Sequence, residues 1–199
     1  MKKLSTYLFL ILFSFSAPSF ADDISDFEIE GMSVGDSLLD YLEKWNITEE
    51  VIINSPKNYY PGSKKFYGIK FLIKSGDYDN FGFLLKENDK KYIIYILRGK
   101  KVFANDLENC KAYKEKIVDE FEVLLKNLKR SDYIHKYQRD NGKSISYITS
   151  FKFEDGSAIR VYCDNWSTVT EKEIGWQDSL NIEISSVEGL RWINLEAYK

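Results

Sequence analysis

Hydrophobic and polar residues alternate with a period of two in six stretches of the chain, which predicts β-strands with one buried face. Asn88-Asp89 and Asp155-Gly156 lie between neighbouring stretches and favour hairpin turns, so we expect antiparallel pairing. Gly99 is predicted to mark a β-bulge. The predicted strands comprise residues 67–73, 81–85, 92–97, 145–153, 158–163 and 180–184.

A helical pattern separates the two groups of strands. Asp106 is a predicted N-cap, and Leu107, Cys110, Ile117 and Phe121 follow it on one stripe. Lysine and glutamate residues occupy the opposite side of this stripe. The spacing therefore predicts an amphipathic helix that covers the apolar face of a sheet.

Weaker helical patterns lie towards the two ends of the chain. Ser33 and Asp36 have the spacing of a capping box and predict a helix to about Trp45, and Thr48 predicts the N-cap of a second, short helix. Residues 187–198 suit a terminal helix better than a strand. We therefore predict an α+β fold: a single domain with a mainly antiparallel sheet and helices packed on one face.

The first 21 residues have the pattern of a secretory signal peptide. Lys2 and Lys3 precede an apolar run that is too short to span a bilayer, and Ser19 and Ala21 supply small residues at the cleavage positions. We expect a periplasmic or secreted domain over residues 22–199. No cysteine follows the cleavage point directly, so a lipoprotein anchor is not expected.

Removal of the two signal lysines leaves 26 basic and 31 acidic residues, a net charge of −5. This acidic balance argues against non-specific nucleic-acid binding, which needs a basic surface. No later apolar run is long enough to predict a membrane anchor. The partner is therefore expected to be a protein or a small ligand.

Cys110 and Cys163 are the two cysteines, and both fall on predicted apolar faces. An even number of cysteines in an exported chain predicts a disulfide, with two reduced, buried cysteines as the alternative. A metal site is not predicted, because the chain has one histidine and no Cys-x-x-Cys pair. No cofactor is indicated either.

No catalytic residue can be assigned from the sequence. His135 is the only histidine, and no nucleophile motif accompanies it. The many carboxylates lack the spacing of a calcium loop. The expectation leans away from an enzyme.

Aromatic residues in two loops are the candidate binding surface. Trp166 and Trp176 lie in the connection after residue 163, and Tyr59 and Tyr60 lie in the loop before the first strand. Such side chains can stack on sugars or partners. The alternative is that the two tryptophans fold back over the core.

Three stretches of the sequence resemble a family of exported proteins from marine bacteria with small genomes. They lie at 23–33, at 155–157 with 163–167, and at 178–180. The resemblance implies a shared exported α+β fold and no activity that could be transferred. The leading hypothesis is a non-enzymatic binding or accessory protein. A periplasmic hydrolase with dispersed carboxylates and an inhibitor or immunity-type protein are the alternatives.

Overall fold

The computed structural model describes residues 23–45, 48–73 and 76–199. The predicted signal peptide lies outside these residues. The described chain forms one antiparallel sheet of eight strands in the order β1-β2-β3-β4-β8-β7-β6-β5, together with four α-helices. The predicted α+β class is confirmed.

The strands are β1 (Asn58–Tyr60), β2 (Ser63–Phe71), β3 (Asn80–Lys86), β4 (Ile94–Val102), β5 (Lys129–Lys136), β6 (Ile145–Lys152), β7 (Ala158–Asn165) and β8 (Ser179–Ser185). The helices are α1 (Glu49–Asn54), α2 (Leu107–Leu124), α3 (Thr168–Ile174) and α4 (Val187–Leu195). Short 3₁₀ helices lie at Ile24–Asp26, Leu38–Tyr41 and Gln138–Asp140.

The sheet consists of two antiparallel meanders, each of four strands and each followed by a helix. β1 to β4 form one meander, β5 to β8 form the other, and the two meet where β4 pairs with β8. α2 connects them by crossing from the centre of the sheet to its far edge at β5. As a result β8 lies in the middle of the sheet, although it is the last strand along the chain.

One face of the sheet carries the main hydrophobic core. α2 covers this face over β7 and β8, and its Phe121 meets Phe151 of β6 edge to face. The segment 23–45 covers the other half, where Trp45 stacks on Phe81 with ring centroids 5.1 Å apart. Burial of these apolar side chains supplies the main driving force for folding.

A disulfide ties α2 to the sheet. Cys110 and Cys163 are bonded, with their Cα atoms 6.1 Å apart, and both residues are fully buried in the main core. Cys163 shares its face of β7 with Val161, as the alternation of this strand predicts. The predicted bridge is therefore confirmed, and the alternative of two reduced cysteines is wrong.

The opposite face of the sheet carries a smaller second core beneath α4. Trp192 of α4 packs against Phe66 with ring centroids 5.0 Å apart, beside Leu84 and Ile96. Its indole Nε1 donates a hydrogen bond to Ser63 Oγ at 3.2 Å. Since α4 starts directly after β8, it crosses this face at the end where β8 finishes. Helices therefore lie on both faces of the sheet, not on one face as predicted, because α4 returns over the side opposite α2. Polar side chains occupy the rest of this second face.

The helix predicted from Ser33 to Trp45 does not form. Gly35 has a φ of +94°, and its N–H donates to the carbonyl oxygen of Ile94 at 2.8 Å. Leu38 N–H donates likewise to Tyr92 O at 3.1 Å. Backbone pairing with the chain at the start of β4 thus replaces the helical hydrogen bonds, and only the 3₁₀ turn at Leu38–Tyr41 remains helical.

Two further details of the strands differ from expectation. Gly99 lies in an uninterrupted register with Ile182 and marks no bulge. A Cβ atom there would lie 2.5 Å from the ring of Tyr78, so close packing requires the glycine. The residues around His135, which belong to none of the six predicted strands, form the edge strand β5, whose eight residues are all exposed.

Candidate functional site

A continuous polar surface occupies the sheet face opposite the main core. Alternation along β4, β7 and β8 turns the apolar side chains towards α2 and the polar ones towards this second face. We call the surface the polar face, and it is formed by Arg98, Lys100, Arg160, Tyr162, Asp164, Asn181 and Glu183.

Glu183 lies at the centre of the polar face and pairs with two arginines. The register places it opposite both Arg98 of β4 and Arg160 of β7. Its carboxylate oxygens lie 2.5 Å from Arg98 Nη2 and 3.3 Å from Arg160 Nη1. Burial alone would raise the pKa of Glu183, but the two positive charges outweigh burial and hold its pKa below the usual range. Glu183 is therefore a carboxylate near neutral pH.

Arg98 is the more exposed of the two cations that pair with Glu183. Its side chain is 44% exposed, whereas that of Glu183 is 4% exposed. The Arg98 guanidinium also lies 5.8 Å from the ring centroid of Tyr162. Arg98 is thus held in place from one side and open on another, an arrangement that can receive an acidic group.

Asp164 forms a second polar cluster one strand away. It accepts hydrogen bonds from Tyr137 Oη at 3.3 Å, from Asn181 Nδ2 at 3.0 Å and from the Ser146 hydroxyl. Burial raises the pKa of Asp164 against the opposing effect of these donors. Burial also lowers the pKa of the Lys100 amine, whose Nζ donates to Gln177 O at 3.4 Å.

Trp166 and Trp176 lie together at one end of the polar face. Their ring centroids are 4.5 Å apart, and the Trp166 ring lies 4.6 Å from that of Tyr137, which reaches Asp164. Trp166 is buried, while Trp176 is 43% exposed. Trp166 thus folds back as the alternative describes, whereas Trp176 does not, and the binding surface stays a prediction.

Tyr60 lies at the other end of the polar face, next to Arg98. Its ring meets those of Trp192 and Tyr198 edge to face, at 5.1 Å and 5.4 Å. Burial raises the pKa of Tyr60 and Tyr198, and the positive charge of Arg98 opposes this effect at both hydroxyls. Tyr59 instead donates from its hydroxyl to Glu87 at 2.8 Å, away from Arg98.

One row across three strands contains residue types found in hydrolases. His135 lies opposite Ser146, and Ser146 lies opposite Asp164. The hydrogen bonds are not those of a catalytic triad, because Ser146 donates directly to Asp164 and is 1% exposed. His135 instead meets the ring of Tyr137 edge to face, at 4.8 Å.

Comparison with protein-family models, with curated proteins and with solved structures finds no match for this chain. The predicted resemblance to an exported bacterial family stays a prediction. Over residues 23–45, 48–73 and 76–199 no histidine, cysteine or carboxylate cluster could hold a metal ion. In the same ranges, no helix combines the length and apolar character that a membrane span requires.

The sequence-based search missed the polar face itself. Its local signal is visible in β7 and β8, where Arg160, Tyr162 and Asp164 alternate with Ile, Val and Cys, and where Asn181 and Glu183 alternate with Leu and Ile. That signal indicates polar residues on the second face. It does not reveal that β8 lies beside β4, which is what brings Arg98 to Glu183.

Proposed function

We propose that this chain is an exported, non-enzymatic binding protein whose ligand lies on the polar face. The observation that carries the proposal is the position of Arg98. It is a half-exposed cation, fixed by the buried Glu183, on a sheet face with aromatic rings at both ends. Binding sites commonly combine aromatic surfaces with a few fixed polar groups.

The chemistry of the polar face favours an acidic saccharide as the ligand. Arg98 can bind a carboxylate through two parallel hydrogen bonds. The rings of Tyr60, Tyr198 and Trp176 offer flat apolar surfaces for the C–H faces of sugar rings. Asn181 and Tyr162 are buried and donate to Asp164 and Glu183, so they hold these carboxylates in place and do not contact the ligand themselves.

A hydrolase is the second candidate, favoured by the row of His135, Ser146 and Asp164. Burial of the Ser146 hydroxyl and its hydrogen bond to Asp164 argue against a nucleophilic role for it. Glu183 is engaged by two arginines, so it is poorly suited to proton transfer. Binding without turnover therefore accounts better for the arrangement.

The test is a fluorescence titration of the mature protein with galacturonate oligomers, with neutral galactose oligomers as the comparison. We expect the acidic oligomers to change the emission of Trp176 and the neutral ones to bind more weakly. Arg98→Gln is expected to weaken binding of the acidic oligomers by about tenfold or more, because it removes one charge-assisted hydrogen-bonded pair. Arg139→Gln makes the same chemical change at an exposed position and is the matched control.

Equal binding of acidic and neutral oligomers, or unchanged affinity in Arg98→Gln, would contradict the proposal. Absence of binding by all oligomers would refute the saccharide assignment. Product release from the oligomers, measured by chromatography, would favour the hydrolase instead.

A further inference from the structure

A cavity of about 260 Å³ lies between α4 and the β6–β7 hairpin, at the edge of the polar face. α4 contributes Val187, Leu190, Arg191 and Asn194, and the hairpin contributes Ser150, Lys152, Gly156, Ala158 and Arg160. The volume is slightly below the range of about 300–1,000 Å³ typical of sites for drug-sized molecules. It suits a small ligand.

The charged side chains that line this cavity are all positive. Lys152, Arg160 and Arg191 line it, and no carboxylate is among its lining residues. Within the described part of the chain, neither Lys152 nor Arg191 forms an ion pair. Three cations from three separate elements thus converge in a protein whose net charge is negative. Such a potential attracts anions.

Arg160 is incompletely satisfied by the protein. Its Nη1 pairs with Glu183 at 3.3 Å, but the same carboxylate also pairs with Arg98, so one negative charge faces two positive ones. The Nε atom of Arg160 is buried and has no hydrogen-bond acceptor among the described residues. A buried donor without an acceptor is unfavourable, and an anion bound in this wall could supply the missing acceptor.

We infer that this cavity is a binding site for a phosphate group. A phosphate dianion carries more charge and more acceptor oxygens than a carboxylate, and so matches three converging cations better. Ser150 and Asn194 add polar groups to the wall, while Leu190 and Val187 form an apolar side. That apolar side favours a phosphate monoester over free phosphate. The cavity shares Arg160 with the polar face, but Lys152 and Arg191 lie outside that face, so the inference does not depend on the saccharide proposal.

The experiment is isothermal titration of the mature protein at low ionic strength with three probes: inorganic phosphate, phenyl phosphate and phenol. We expect both phosphates to bind and phenol not to bind. Tighter binding of phenyl phosphate would support a monoester, and tighter binding of inorganic phosphate would support the free ion as the source. Binding should weaken steeply with added salt, since the attraction is between charges.

Lys152→Gln and Arg191→Gln are the test variants, because both side chains are exposed and their replacement leaves the core intact. We expect each to weaken phosphate binding by about fivefold or more, and the double variant by more than about 20-fold. Lys116→Gln on α2, an exposed lysine on the other side of the sheet, is the matched control and should bind like the parent. Unfolding temperatures without ligand verify that all variants are folded.

Two results would overturn the inference. One is the absence of heat or thermal stabilisation with millimolar phosphate at low salt. The other is binding by the parent protein that persists unchanged in the folded double variant, which would place the anion elsewhere.

Discussion

Removal of the Cys110–Cys163 disulfide should destabilise the fold by a predictable amount. The bridge joins residues 53 positions apart, and closing a loop of this length stabilises a protein by about 4 kcal/mol in the chain-entropy model. Typical domains have unfolding free energies of about 5–15 kcal/mol. The disulfide thus accounts for a large share of the stability of this protein.

Urea unfolding followed by circular dichroism measures this contribution. For a domain of this size the free energy falls by about 2 kcal/mol per molar urea, so the midpoint should fall by about 2 M in Cys110→Ala/Cys163→Ala. The double variant also removes two buried sulfur atoms. A second sample therefore keeps both cysteines but is unfolded, reduced and refolded in the presence of reductant. Comparing it with the oxidised protein separates the contribution of the cross-link from that of the packed sulfur atoms.

The reasoning would be refuted if the reduced protein unfolded within about 0.5 M urea of the oxidised protein. Such a result would mean that the unfolded chain already holds these segments together, or that strain in the native state cancels the entropic gain. A large loss in the alanine variant together with a small loss in the reduced protein would assign the stability to packing instead.

Two other substitutions test packing and electrostatics. Gly99→Ala should cost about 1–3 kcal/mol in urea unfolding, because its Cβ would lie 2.5 Å from the Tyr78 ring. Gly82→Ala is its control, since the nearest atom there is 3.8 Å away. The pKa of Glu183 is held below 4.5, so its stabilisation is complete above about pH 4.5 and is lost as pH falls through the folded value. Glu183→Gln should therefore lower the free energy of unfolding by about 3 kcal/mol at pH 7 and make it depend less on pH below about 4.5. An unchanged pH dependence in this range would refute the assignment of the lowered pKa to Glu183.

Elements with a strong local pattern were predictable from the sequence. The Asp155-Gly156 hairpin, the Asp106-capped helix and the terminal helix all follow from periodicity and turn chemistry, and the structure confirms them. The disulfide followed because both cysteines occupied inward positions of such elements. In each case neighbouring residues carry the whole signal.

The errors arose where distant residues decide the structure. A capping box at Ser33 favours a helix, yet hydrogen bonds from Gly35 and Leu38 to the chain near β4 outweigh it. The polar face was missed for the same reason, since the pairing of β4 with β8 joins residues about 85 positions apart, as the bond from Arg98 to Glu183 shows. Periodicity reports which face a side chain occupies but not which strand lies beside it.

Burying the charged groups of the polar face has an energetic cost for the stability of the sheet. A buried carboxylate shared by two guanidinium groups loses hydration that the ion pairs only partly restore, and well-packed apolar residues are often equally stable in such positions. The main core on the other face shows that the same strands can carry Val161, Ile182 and Ile184 without difficulty. The charges around Glu183 therefore add little to the stability of the sheet beyond what apolar residues would provide. This balance supports the proposal that Arg98 is placed to bind a ligand.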